Sequence, residues 1–346
     1  MTADPAAEES APVPVRPAEG PAAPQCSLAA APDPYPLYRT LRERHPPAYD
    51  PHLGAWLVSR YTDVVGALRD ARLGRPRSVS CCEPGDDRCG APHLLAPRAV
   101  REHATGAFRE IAERTAYVLA SRLARRPEAD LVAEFCRWLP SGVVATAAGL
   151  PYDALARGDR GLPPTRTGPG RRGRGGPGTA ALAGLLADRA ALTEKALASL
   201  IANLLDHPAQ LAAVREDPAL IPRAWAETLR RNPPVHVLVR RAVQDVPLAG
   251  GTVPAGAAVG ILIGSAGRDH ERFAAADDFD LFRPDPGRLT LGPPGCPVAE
   301  VAALQAQYGL RALLDAMPGL RWADGFRPVE TGLLTRAPRA LCVRPA

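Results

Sequence analysis

The sequence predicts a mainly α-helical fold with a small β region, on three observations. Long stretches of helical period lie at 99–126, at 129–150 and from about 180 to 205. Strand-like patterns are confined to Ala55–Ser59 and to the stretch from Val235 to about Ile263. No internal repeat is present, which sets aside solenoid and propeller architectures.

Composition bounds the reading. Of 346 residues 39 are Pro and 31 Gly, together about a fifth of the chain, which is below the ~25–30% of a low-complexity chain. The 46% hydrophobic content supplies a substantial core for one large domain or two ordinary ones. The longest apolar run, near Ala257–Ala266, is strand-sized, whereas a membrane helix needs about 18–20 residues. The first residues lack a charged start followed by an apolar block, so a cytoplasmic chain is expected. Lys and Arg total 42, yet Lys195 is the only Lys, a bias typical of GC-rich coding. The net charge of +5 therefore argues poorly for nucleic acid, though it suits a basic face for an acidic protein partner. Seven scattered cysteines (Cys26, Cys81, Cys82, Cys89, Cys136, Cys296 and Cys342) read as free thiols.

Taken in order, residues 1–33 are Pro/Ala-rich, without period, and read as a disordered tail before a single domain over 34–346. Leu37–His45 is a short amphipathic helix, Ala55–Ser59 a strand, and Tyr61–Leu73 a helix capped by Thr62. Gly74–Pro97 is full of breakers and reads as loop. After the helical stretches at 99–126 and 129–150, the segment Gly161–Gly178 has 11 Gly or Pro in 18 positions, a disordered insert spanning about 157–178. The helix from about Ala180 to Leu205 keeps Leu182, Leu192, Leu197, Leu200 and Leu204 on one face. Pro208–Glu216 and Pro218–Arg231 are further helices. Gly250–Gly251 marks a turn between strands, and a last helix covers Pro297 to about Ala316 before two short strands.

Over most of Asp33–Ala346 these residues resemble a bacterial, actinomycete-type cytochrome P450, shortened and diverged. The segment Asp33–Leu73 is similar to the family's first helix, first strands and following helix. "AETLRRNPPV" (Ala226–Val235) resembles the helix bearing the family's Glu-x-x-Arg pair, here Glu227 and Arg230. Val239–Phe273 resembles the strand pair that follows. "DDFDLFRP" (Asp277–Pro284) resembles the segment whose Arg, here Arg283, locks onto that pair.

The residues also carry physical readings of their own. Glu227 and Arg230 stand three apart and share a helix face, so they can pair at the surface or in a buried fork with Arg283. The apolar neighbours Trp225, Leu229 and Val235 favour the buried fork, with a structural role. Cys296 precedes Pro297, which suits the first helical position, so its sulfur lies at a helix N-terminus that favours thiolate. Gly292 and Gly295 would allow close approach of a cofactor. Read from "LGPPGCPVAE" alone, Cys296 is an inert buried thiol. The resemblance instead implies the axial ligand of haem iron, with Arg240 at a propionate, haem b as cofactor and Gly292 and Gly295 in the binding loop.

Three departures from the family pattern stand out. The Cys loop has Leu291-Gly292 for Phe-Gly, is two residues short, and carries Pro294 at its basic position. The central helix places Ala191 and Leu192 where the family has an acid and an alcohol that relay protons; Thr193 and Glu194, adjacent in reverse order, are the substitutes on offer, or else ordinary helix-surface residues. The propionate-gripping helix before Ala96–His103 and the lid helices are replaced by the odd-composition segments, with His93 and Arg98 out of spacing, so a truncated lid and an open pocket are expected. Cys81, Cys82, Cys89 and His93 lack the spacing of a zinc finger, and "GRRGRGG" lacks the aromatics of an RNA-binding segment. The resemblance thus implies an iron-containing haem-thiolate monooxygenase, an oxidoreductase of secondary metabolism with a ferredoxin-type donor and a small-molecule substrate. The departures keep two alternatives open: a haem-free auxiliary protein for a partner such as a glycosyltransferase, and a decayed reading frame.

Overall fold

The fold is given by a computed structural model, which describes residues 28–44, 47–74, 98–153, 189–248, 251–287, 289 and 296–345. The N-terminal part comprises α1 (Tyr35–Arg44), β1 (Ala48–Asp50), β2 (Ala55–Val58), α2 (Tyr61–Arg69) and β3 (Leu73–Gly74). Next come α3 (Arg98–Leu123), β4 (Ala129–Asp130), a π turn at Val132–Cys136, α4 (Trp138–Ala147), α5 (Ala190–Asp206), α6 (Pro208–Glu216) and α7 (Ile221–Arg231). The strands β5 (Val237–Ala242), β6 (Val246–Leu248), β7 (Gly251–Val253) and β8 (Ala258–Leu262) follow, with a single turn α8 (Ile263–Ala266). The chain closes with α9 (Pro297–Ala316), β9 (Arg321–Trp322), β10 (Glu330–Thr331), β11 (Ala337–Pro338) and β12 (Cys342–Arg344).

The main sheet has the order β1-β2-β8-β5-β3. β2 and β8 are parallel, with Trp56 opposite Val259, and the other pairs are antiparallel. A largely helical core joins α3, α4, α5, α7 and α9 through Phe108, Leu119, Phe135, Leu139, Leu197, Leu200, Leu229 and Leu310. Mainly α with a small sheet is therefore the architecture. No helix among the described residues is long and apolar enough to cross a membrane.

Several boundaries differ from those the sequence suggests. Within the expected tail, Leu28 packs on the fold: its side chain is buried and its N–H donates to Asp50 Oδ2 at 3.1 Å. Thr62 does not cap α2. The helix starts at Tyr61, whose N–H donates to Asp269 Oδ2 at 2.7 Å, so a carboxylate from a distant segment satisfies that first turn. The stretch 129–150 is not one helix, because Asp130 Oδ1 accepts the N–H groups of Val132 and Leu341 at 2.9 Å and fixes a corner where β4 pairs β12. Likewise 218–231 opens as a 3-10 turn, Pro218–Leu220, capped by the Asp217 side chain, and only then becomes α7. The first part of the expected helix from about Ala180, the 157–178 insert, Gly250, Cys26, Cys81, Cys82, Cys89, His93 and most of the expected tail lie outside the described residues.

Candidate functional site

The Glu227 carboxylate is almost completely buried on α7, one turn before Arg230, which is equally buried. Arg230 grips it with both sides of its fork, Nε to Oε2 at 2.8 Å and Nη2 to Oε1 at 2.7 Å. Its other three N–H bonds reach the carbonyl oxygens of Gly267 and Ala276 at 2.6 Å and Asp278 at 2.7 Å, so all five guanidinium donors are used. Oε1 of Glu227 also accepts from Arg283 Nε at 3.2 Å and from the Asp280 N–H at 3.0 Å. Arg283 itself donates to the carbonyls of Ala274 and Ala275. Ala275 has φ +46°, a left-handed conformation that a non-Gly residue adopts only under constraint. Two cations face one carboxylate here, and the five backbone carbonyls spread the excess positive charge. The geometry brings Glu227, Arg230 and Arg283 into one buried cluster that anchors residues 267–283.

Cys296 is fully buried and is the N-cap residue of α9, with Pro297 at the first helical position. Its carbonyl accepts the Glu300 N–H at 3.0 Å, which starts the helix cleanly at the sulfur-bearing residue. The N–H groups of that first turn place the positive end of the helix dipole at this cysteine. Arg240 lies on β5 opposite Val259; it too is buried, and its Nη1 donates to the Val239 carbonyl at 3.2 Å. Gly292 and Gly295 lie outside the described residues.

Thr193 and Glu194 face different surroundings. Thr193 is buried, and its hydroxyl bonds back to the Arg189 carbonyl at 3.4 Å, within the first turn of α5. Glu194 opens instead on a cleft of about 190 Å³ lined by Val132, Lys195, Ala198, Thr331, Pro338 and Arg339. Burial pushes its carboxyl above the usual carboxylate range, against the pull of Arg137 and Lys195. At the two positions where proton-relaying groups are expected, Ala191 is exposed and Leu192 packs on the core.

The donor set thus suits haem on one side only. A buried Cys at a helix N-terminus and a buried Arg match the needs of an iron ligand and a propionate partner. Ala191 and Leu192 carry no group that could donate a proton. Sequence reasoning missed the carbonyls of Gly267, Ala276 and Asp278 as Arg230 acceptors, because a backbone oxygen leaves no residue signature. It also missed Lys195, Thr331 and Arg339 beside Glu194, since the last two lie more than a hundred residues further on.

Comparison with known proteins agrees with this geometry. The family model "Cytochrome P450" matches residues 219–294, which contain Glu227, Arg230, Arg240 and Arg283. "Cytochrome P450 105C1" of a Streptomyces species is 31% identical over 320 residues, covering 78% of this chain and 82% of that relative. "Protein DesVIII" of Streptomyces venezuelae is 32% identical over 334 residues, covering 86% and 82%. Among solved structures, CYP109E1 of Bacillus megaterium in complex with testosterone superposes with a TM-score of 0.75 at 20% identity, covering 90% of this chain and 98% of that one. P450BioI, solved with a fatty-acid-bearing acyl carrier protein, gives 0.69 at 24% identity, covering 90% and 98%.

Proposed function

The chain belongs to the cytochrome P450 family, and from that premise we propose that it is a cytoplasmic haem-thiolate monooxygenase of secondary metabolism with Cys296 as the iron ligand. The observation that carries this reading is Cys296 itself, buried at the N-cap of α9 and followed by Pro297. Haem b held there would supply oxygen activation, one oxygen atom entering a small-molecule substrate while electrons arrive from a ferredoxin-type donor. The chain's own residues have simpler tasks. The N-terminal turn of α9 favours the thiolate form of Cys296. Arg240 supplies a buried positive charge for a propionate, and glycine at positions 292 and 295 would permit close approach of the cofactor. The Glu227, Arg230 and Arg283 cluster holds the segment leading to the cysteine loop.

A second reading is favoured by one observation: Ala191 and Leu192 stand where an acid and an alcohol would deliver protons. On that reading the chain is a haem-free auxiliary protein that activates a partner enzyme such as a glycosyltransferase. One measurement separates the two. The protein is produced with haem supplied, reduced and exposed to CO, and the Soret band is recorded. A thiolate-type band that disappears in Cys296→Ala supports the monooxygenase. No haem uptake by the folded protein overturns it and leaves the auxiliary reading, which co-purification with a glycosyltransferase then tests.

A further inference from the structure

The cleft that receives Glu194 is built like a small-molecule site and contains neither Cys296 nor Arg240. Ala198, Ala337 and Pro338 are buried at its floor with Val132 beside them, and its accessible lining is more polar than apolar. Around that floor four polar side chains converge from two directions. Glu194 and Lys195 come from α5 and are half-buried, while Thr331 and Arg339 come from the β10–β11 hairpin and its exit and are exposed. Among the described residues none of the four side chains makes a hydrogen bond. Convergent polar groups that make no side-chain hydrogen bond among the described residues, set over a few apolar side chains, are the pattern of a ligand site.

The charges narrow the ligand. Lys195 and Arg339 outnumber the single carboxylate, and Arg137 adds to the positive field at Glu194. An anionic head is therefore favoured, and the fork of Arg339 suits planar or tetrahedral oxyanions. A ligand ammonium on Glu194 would sit beside Lys195 and Arg137, which disfavours a zwitterion. Glu194 and Thr331 instead offer acceptors for ligand hydroxyls. A cleft of about 190 Å³ that opens to solvent accommodates a head group and a few carbons. We propose that this cleft binds a small hydroxylated anion, its phosphate or carboxylate head between Lys195 and Arg339 and its hydroxyls on Glu194 and Thr331.

Titration calorimetry on the full chain tests this with glycerol 3-phosphate, glycerate, inorganic phosphate and glycerol. Saturable binding of glycerol 3-phosphate or glycerate at or below about 1 mM is expected, and the tighter of the two identifies the head group. Arg339→Ala should weaken it roughly tenfold or more. Glu194→Gln should weaken the hydroxylated anion while leaving inorganic phosphate unchanged. Arg339 is exposed, and unchanged thermal unfolding of both variants shows that the fold is kept. No saturable binding overturns the proposal, as does binding indifferent to Arg339→Ala. Equal affinity for inorganic phosphate and glycerol 3-phosphate, unaffected by Glu194→Gln, also overturns it, since that marks only a cationic surface. None of these outcomes depends on whether haem is bound.

Discussion

Glu227 holds two guanidinium groups at once, so its loss leaves Arg230 and Arg283 as buried, unpaired like charges. Breaking a buried pair by removing one partner costs about 3–5 kcal/mol, and Glu227→Ala should lose that much in urea unfolding followed by circular dichroism. Glu227→Gln keeps an oxygen for the Asp280 N–H and should fall between the two. A loss under about 1 kcal/mol in the Ala variant would mean that the cluster does no more than an exposed pair. The i,i+3 pairing of Glu227 with Arg230 is legible in the sequence because one helical turn separates the two. Arg283 is not legible in that way, since it stands 56 positions further on and only the family pattern connects them. Thr193 and Glu194 show the opposite case: neighbours in sequence that do not share surroundings. Adjacent residues on a helix point about 100° apart, so nearness in sequence sends one side chain into the core and the other into a cleft.

Helices whose ends carry a local signal are read well, and those set by distant contacts are not. α6 and α9 start at Pro208 and Pro297, and both occupy the expected ranges, because proline at the first helical position is its own boundary marker. The corner at 129–137 is invisible to periodicity, because Asp130 reaches Leu341, which belongs to the far end of the chain. Close packing between elements gives a paired test. A Cβ on Gly309 of α9 would meet Leu139 Cδ2 of α4 at 2.7 Å and Phe135 Cε1 at 3.5 Å. Both neighbours are fully buried, so they have nowhere to withdraw. Gly309→Ala should therefore destabilise by about 1–3 kcal/mol, although helix propensity alone favours Ala by about 1 kcal/mol. Gly106 of α3 has open space around its Cβ position, and Gly106→Ala should stabilise by up to about 1 kcal/mol. Opposite signs in thermal unfolding support close α4–α9 packing; equal signs refute it.

At the scale of the whole molecule, His236 ties the N-terminal helix to the sheet and to the C-terminal hairpin. It is buried beside β5, with Nδ1 at 3.2 Å from the Tyr38 hydroxyl and Nε2 at 3.3 Å from that of Tyr35, both on α1. Gly264 lies directly under the ring, where a Cβ would come within 2.5 Å of the imidazole. Burial, and then Arg336 from the hairpin and Arg268 from the segment after α8, push its pKa down to about 3. The same burial raises Tyr35 to about 12 and Tyr38 further, so neither phenol ionises near neutrality. A neutral imidazole donates at one nitrogen and accepts at the other, which satisfies both hydroxyls; an imidazolium would be a third cation between two arginines. The unfolded chain binds this proton below about pH 6.5 and the folded chain only near pH 3. Stability contributed by the neutral ring is therefore lost as pH falls from about 6.5 towards 3, by up to about 1.4 kcal/mol per pH unit. Above that window both states are neutral and the ring adds no pH dependence. Urea midpoints of the wild type and His236→Gln at pH 7.5 and pH 5.0 measure the effect. The variant should be less stable at both values, yet its difference between them should shrink by roughly 2 kcal/mol. Identical pH dependence in the two proteins would show that another group controls the acid limb and that the three-way junction at His236 is held by packing alone.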